Sequence, residues 1–134
     1  MIVGLGMDLV SVERIARQLA SPTAGRFLGR VFTSGEQSFC DRFRDRANRY
    51  AARFAAKEAA SKALGVPPGI VFLDVEVVRE RGAPRLVLSG VAGEAARALR
   101  GSSSQARRRA PRRRSGRPRC TSRSRTTAAW RRRP

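Results

Sequence analysis

With 134 residues, the chain has room for one domain with a modest core. It holds no histidine, and its two cysteines, Cys40 and Cys120, lie far apart, which argues against a zinc site and excludes a Ser-His or Cys-His catalytic pair. A net charge of +19 points to nucleic acid until it is divided along the chain: residues 1–100 carry 16 Lys+Arg and all 10 Asp+Glu, whereas residues 101–134 carry 13 arginines and no acid.

The start, "MIVGLGMDLVSVERI", meets an acid at Asp8 and lacks both a basic leader and a long apolar run, so it does not read as a signal peptide. No stretch approaches the roughly 18 apolar residues of a membrane span. A cytoplasmic protein with reduced cysteines and no membrane contact is the expectation. The β-branched and leucine content predicts a strand through about Val10, with Gly4 and Gly6 permitting close backbone approach. "SVERIARQLA" then predicts a helix capped by Ser11, with Val12, Ile15, Ala16 and Leu19 on one face and Glu13, Arg14 and Arg17 off it.

After "SPTAG" interrupts the pattern, Thr33 and Glu36 form a capping-box signature that opens a short helix. The longest helical pattern covers residues 46–64, ended by Gly65 and the Pro67–Pro68 pair. Tyr50 and Phe54 are expected in the core, with Phe32 and Phe39 packing the short helix against them and Cys40 as a small buried hydrophobe. "IVFLDVEVV" alternates as a half-buried strand, "RERGAP" turns it, and "RLVLSG" returns as the second arm of a hairpin. "VAGEAARALR" is a last helix, weakened by Gly93.

The order β-α-α-α-β-β-α has too few strands to cover its helices, so a sheet element is missing at the C-terminus or comes from a partner. From Gly101 onward the segment contains no Ile, Leu or Val and has no period. Ordering it would cost about 1–2 kcal/mol per residue for the backbone, which it has little apolar area to offset. The expected division is therefore a domain over residues 1–100 and a disordered Arg-rich tail over 101–134.

Within "RYAARFAAKEAASKALG", residues 49–65, Glu58 and Lys62 lie one turn apart. One reading is a solvated i,i+4 ion pair worth about 0.2–0.5 kcal/mol. The other assigns the carboxylate to a metal and the ammonium to a phosphate, with Ser61 as a donor beside them and Asp8 as a second carboxylate. Residue spacing leaves both open. Lys57 is expected to be solvated or to tether a subunit contact.

"GLGMDLVSVERI", "RVFTSGEQSFC" and "RYAARFAAKEAASKALG" together resemble the bacterial holo-[acyl-carrier-protein] synthase family, in the family's order and separations, over about residues 2–98. The resemblance implies a small α+β domain of the 4'-phosphopantetheinyl transferase type, with an antiparallel sheet packed on a long helix and its C-terminal strands missing here. It implies transfer of 4'-phosphopantetheine from coenzyme A to a serine of apo-acyl carrier protein, leaving adenosine 3',5'-bisphosphate. By the same resemblance Asp8 and Glu58 hold Mg2+, Lys62 contacts the phosphates with Ser61 beside it, and Arg53, Gly82 and Pro84 belong to the coenzyme surface. Arg14 and Arg17 would face the acidic carrier protein, and the active form would be a homotrimer with sites between subunits. Two other classes compete: a nucleic-acid-binding protein acting through the Arg-rich tail, and a structural subunit without chemistry. The tail lacks base-stacking aromatics, and the retained acids and lysine speak against a purely structural role.

The family also ends with a strand of type "VHVSLSH" and a closing Ala/Val-rich strand, absent here. An arginine-rich, acid-free tail is what a shifted reading of GC-rich coding DNA produces. The genetic code permits the tail, read from the third base of the Arg119 codon, to encode Leu-His-Val-Ser-Leu-Thr-His-Asp-Arg-Gly-Val-Ala-Ala-Ala. Residues after about Arg100 are thus expected to be translated out of frame.

Overall fold

The computed structural model describes residues 2–79 and 82–109. Four helices come first: α1 (Val12–Leu19), α2 (Ala24–Val31), α3 (Ser34–Cys40) and α4 (Arg46–Ala63). A single 3-10 turn (Phe72–Asp74) leads into β1 (Val75–Val78), followed by β2 (Arg85–Leu88) and α5 (Gly90–Arg109). The strands pair antiparallel, Val75 opposite Leu88 and Val77 opposite Leu86. The fold is α+β, with the hairpin packed on the long helix α4.

Local chemistry sets three of the helix ends. Ser11 caps α1 by accepting from the Arg14 amide at 3.2 Å. Thr33 and Glu36 complete their capping box, Glu36 N to Thr33 Oγ1 at 3.2 Å and Thr33 N to Glu36 Oε2 at 2.9 Å. Gly65 takes a positive φ just after α4, as an αL terminator requires. Helix α2 was not expected: Gly25 and Gly29 lower its propensity and obscure the spacing of Phe27, Leu28 and Val31 that seats it.

The main core joins Ile15, Val31, Phe32, Cys40, Tyr50 and Ala51. Phe32 and Tyr50 meet edge-on with centroids 4.8 Å apart, and Phe54 contacts Phe72 at 5.3 Å. The Tyr50 hydroxyl donates to Asp41 Oδ1 at 3.1 Å, which gives its polar end a partner. Lys57 corrects the solvated expectation. Its side chain is fully buried, with Nζ 2.7 Å from Glu36 Oε2 and 3.0 Å from the carbonyl oxygen of Phe72. Glu36 Oε1 in turn accepts from the Val77 amide at 3.0 Å. One buried ion pair thus connects α3, α4, the 3-10 turn and β1, with every charge partnered as burial demands.

Two strand expectations need correction. Residues 2–10 form no strand: they run without a ladder partner, closely against α4, where a Cβ on Gly4 or Gly6 would strike the carbonyl oxygens of Ala63 and Ala59. A pleated pattern needs a neighbouring strand to become a sheet, and none lies beside this segment among the described residues. Strand β1 starts at Val75, later than the alternation suggested, because its partner ends at Leu88 and Ser89 turns back to donate to the Asp74 carbonyl at 2.8 Å. Gly93 lies inside α5 and has a packing reason to be there. It is buried, and a Cβ there would lie 3.1 Å from the Leu88 carbonyl oxygen, so the helix can approach β2 closely. Helix α5 continues to Arg109, past the boundary expected at Arg100; the remainder of the Arg-rich tail lies outside the described residues.

Candidate active site

The stretch from Asp8 to Ser11 lines a cavity with Phe54 and Glu58 of α4, and α1 packs on the same helix. That placement bears on the ion-pair reading of Glu58 and Lys62. Lys62 does not pair with its neighbour one turn away; its Nζ lies 2.6 Å from Asp8 Oδ1 and donates to the Met7 carbonyl at 3.4 Å. The hydrogen bond to Asp8 raises the Lys62 pKa above that of an ordinary lysine, and the negative charges of Asp8 and Glu58 add to the effect. Glu58 is half-buried and makes no ion pair or hydrogen bond among the described residues.

Asp8, Glu58 and Arg14 line one cavity of about 430 Å³, walled on its apolar side by Ile15, Phe27 and Phe54. Glu58 also borders a smaller cavity of about 140 Å³ with Ser61. Asp8 is largely covered, with side-chain exposure of 17%, while Lys62 reaches solvent at 47%. Arg14 and Arg17 are exposed on α1, where Arg14 borders the cavity and Arg17 lies in the last turn. The structure therefore brings together Asp8, Glu58, Lys62 and Arg14, with Ser61 next to them.

Arg53, Gly82 and Pro84 are elsewhere on this subunit. Arg53 and Lys62 are nine positions apart on a helix that turns about 100° per residue, which sets them on opposite sides of α4. Arg53 is buried, its guanidinium stacked over the Phe39 ring at 4.3 Å, and its Nε has no partner. Arg53 and Pro84 line a separate cavity of about 490 Å³, and Gly82 sits exposed in the hairpin turn with φ +99°. The sequence reading passed over Phe27 and Gln18, which also line the Asp8 cavity, because α2 was not recognised and a glutamine on a helix face gives no chemical signal.

Magnesium takes hard oxygen donors, keeps several waters, and is held by one or two carboxylates with substrate phosphates completing the shell. Asp8 and Glu58 suit that partial set, since Asp8 Oδ2 and both Glu58 oxygens have no hydrogen-bond partner that would compete for a cation. No group of three or more His, Cys, Asp or Glu with metal-ligand geometry occurs among the described residues, so protein groups alone do not form a closed cage.

A small α+β domain with two carboxylates, an ammonium and a hydroxyl gathered at one end of a long helix suits a phosphorylated ligand. The chain belongs to the 4'-phosphopantetheinyl transferase superfamily, whose description matches residues 4–114. It is 66% identical over 101 residues to a holo-[acyl-carrier-protein] synthase of Anaeromyxobacter sp. (strain Fw109-5), covering 74% of this chain and 78% of that one. Among solved structures, holo-[acyl-carrier-protein] synthase from Neisseria meningitidis superposes with a TM-score of 0.62 at 32% identity, covering 75% of this chain and 82% of that chain. The Thermotoga maritima enzyme gives 0.53 at 37% identity, with 66% of this chain but only 48% of that one covered. None of the described helices is long and apolar enough to cross a membrane.

Proposed function

We propose that this protein transfers 4'-phosphopantetheine from coenzyme A to a serine of apo-acyl carrier protein, with Mg2+, and releases adenosine 3',5'-bisphosphate. The observation that carries the reading is the meeting of Asp8 and Lys62 at 2.6 Å although they lie 54 positions apart in sequence, beside the cavity that Glu58 lines. An isolated surface pair would need no Glu58 beside it.

In the reaction the serine oxygen forms a bond to the β-phosphorus of coenzyme A, the bond to the bridging oxygen breaks, and the serine proton passes to water or to the Glu58 carboxylate. Asp8 and Glu58 would hold Mg2+, which supplies Lewis-acid neutralisation of the diphosphate when bound. Lys62, kept protonated by Asp8, offsets the charge that grows on the departing phosphate. Ser61 donates to a phosphate oxygen. Arg14 and Arg17 present positive charge at the rim and steer an acidic carrier protein toward the cavity, an effect that salt weakens. Arg53 lies across α4 from Lys62 and shares its cavity with Pro84; with Gly82 they would serve a coenzyme held against a neighbouring copy, which fits a homotrimer with shared sites. Coenzyme A and the carrier protein place the reaction in the cytoplasm.

The test is direct. Purified protein, apo-acyl carrier protein, coenzyme A and Mg2+ are mixed, and the carrier is weighed by mass spectrometry. Addition of the phosphopantetheine mass supports the reading, and its absence at saturating Mg2+ overturns it.

A further inference from the structure

The two candidate metal carboxylates are placed in different ways. Asp8 is held by a bond of its own, from Lys62 Nζ at 2.6 Å. Glu58 has no hydrogen bond or ion pair among the described residues, so its position rests on the turn of α4 that carries it. The residue before it on that turn is Lys57, whose fully buried side chain pairs with the equally buried Glu36 at 2.7 Å. Lys57 Nζ also donates to the Phe72 carbonyl at 3.0 Å, while Glu36 accepts from the Thr33 amide at 2.9 Å and the Val77 amide at 3.0 Å. A buried ion pair is a poor choice for stability alone, because well-packed apolar residues of similar volume are often as stable or more so. Its bonds are directional, however, and they hold α4 against α3, the 3-10 turn and β1 at set distances.

The constraint reaches the site by two routes. Along the helix, Glu58 follows Lys57 by about 100°, and Ser61 lies one turn beyond Lys57 on nearly the same face. All three line the small cavity of about 140 Å³ together with Phe72. Across the core, the Phe72 ring packs on Phe54 with centroids 5.3 Å apart, and Phe54 walls the cavity of about 430 Å³ that Asp8, Glu58 and Arg14 line. We infer, resting on the reading of Glu58 as a Mg2+ carboxylate, that Glu36 and Lys57 are positioning residues for transfer: their buried pair sets the rotation of α4 that brings Glu58 to the Asp8 cavity. Neither of them lines that cavity itself. Their effect is therefore on metal binding and turnover, and not on capture of the carrier protein, which falls to Arg14 and Arg17 on α1.

The experiment compares the full chain with two variants. Glu36→Gln/Lys57→Met removes both charges but keeps an acceptor for the Val77 amide and the capping box. It is preferred to Lys57→Met alone, which leaves a buried charge unpaired and can fail to fold. Val31→Ala truncates the core away from the Asp8 cavity and, with urea midpoints measured for all three proteins, shows what lower stability does by itself. Mn2+, a spectroscopic stand-in for Mg2+ at oxygen ligands, is titrated in the presence of coenzyme A and read from the electron paramagnetic resonance of the free ion. The double variant should bind Mn2+ about tenfold or more weakly than the unsubstituted chain. Its kcat should fall about tenfold to a hundredfold, with the KM for apo-acyl carrier protein held within about twofold. Val31→Ala should change neither Mn2+ affinity nor kcat. Unchanged Mn2+ affinity or unchanged kcat in the double variant overturns the inference, and so does a loss of the same size in Val31→Ala. Mn2+ binding that is the same in Glu58→Gln as in the unsubstituted chain removes the metal reading itself, and the inference falls with it.

Discussion

The two halves of α4 are built differently, although they belong to one helix. The half around Tyr50, Ala51 and Lys57 is enclosed by α1, α2, α3 and the 3-10 turn, with edge-on rings and a fully buried ion pair. The half around Ala59, Ala60 and Ala63 meets a smaller cluster of Val75 and Ala92, a bare N-terminal segment and an open slot. The first half finds its neighbours close by in sequence, so local pairing suffices to bury it. The second half depends on strands brought from far along the chain. The candidate site sits where these two regimes meet, with Glu58 on the enclosed half and Asp8 delivered by the bare segment.

The comparison is broken most strongly at the buried pair. Lys57→Met leaves the Glu36 carboxylate buried without its cation and should cost about 3–5 kcal/mol in urea unfolding. Adding Glu36→Gln should recover part of that loss, because the charge goes while an acceptor for the Val77 amide remains. A cost near zero for Lys57→Met would mean that this half is no better enclosed than the other.

At the junction, Asp8→Asn and Glu58→Gln should each lower transfer by about a hundredfold to a thousandfold while leaving the unfolding midpoint nearly unchanged. Transfer near the wild-type rate in either variant at saturating Mg2+ would remove that residue from the site. Arg14→Glu lies outside both halves and should raise the KM for the carrier protein by about tenfold at low salt, with little effect on the KM for coenzyme A. Equal effects on both substrates would rule out steering.

Cys40 gives the enclosed half a pH signature. Burial pushes its thiol up from 9.0 to about 11, so the folded state holds the proton more tightly than the unfolded chain. Its contribution to stability is complete below pH 9.0 and is lost as pH rises toward about 11. Urea midpoints measured across that window should fall, and Cys40→Ala should flatten the fall. The smallest effect belongs to the open face: Ala52→Glu, at an exposed position on the slot, should change stability by no more than about 0.5 kcal/mol.

Sequence by itself determined the features whose causes lie within a few residues. Ser11, the Thr33–Glu36 box and Gly65 mark helix ends through side-chain and backbone geometry that acts over three or four positions, and each ends a helix as expected. Alternation through Val75 and Val77 gave the hairpin face, and the motifs gave the family. The acid, lysine and serine of the candidate site were legible only as residue types in a pattern. Tertiary structure alone decided which of them meet. Lys62 pairs with Asp8 and not with Glu58, because chain crossing outweighs helical neighbourhood once a carboxylate is held at hydrogen-bond distance. Lys57 was read as solvated or as a subunit tether because a lysine carries no sign of the Glu36 that waits on the preceding helix. The N-terminal segment failed as a strand for the complementary reason: a period of two records which side chains share a face, whereas a strand exists only when another backbone arrives to bond it.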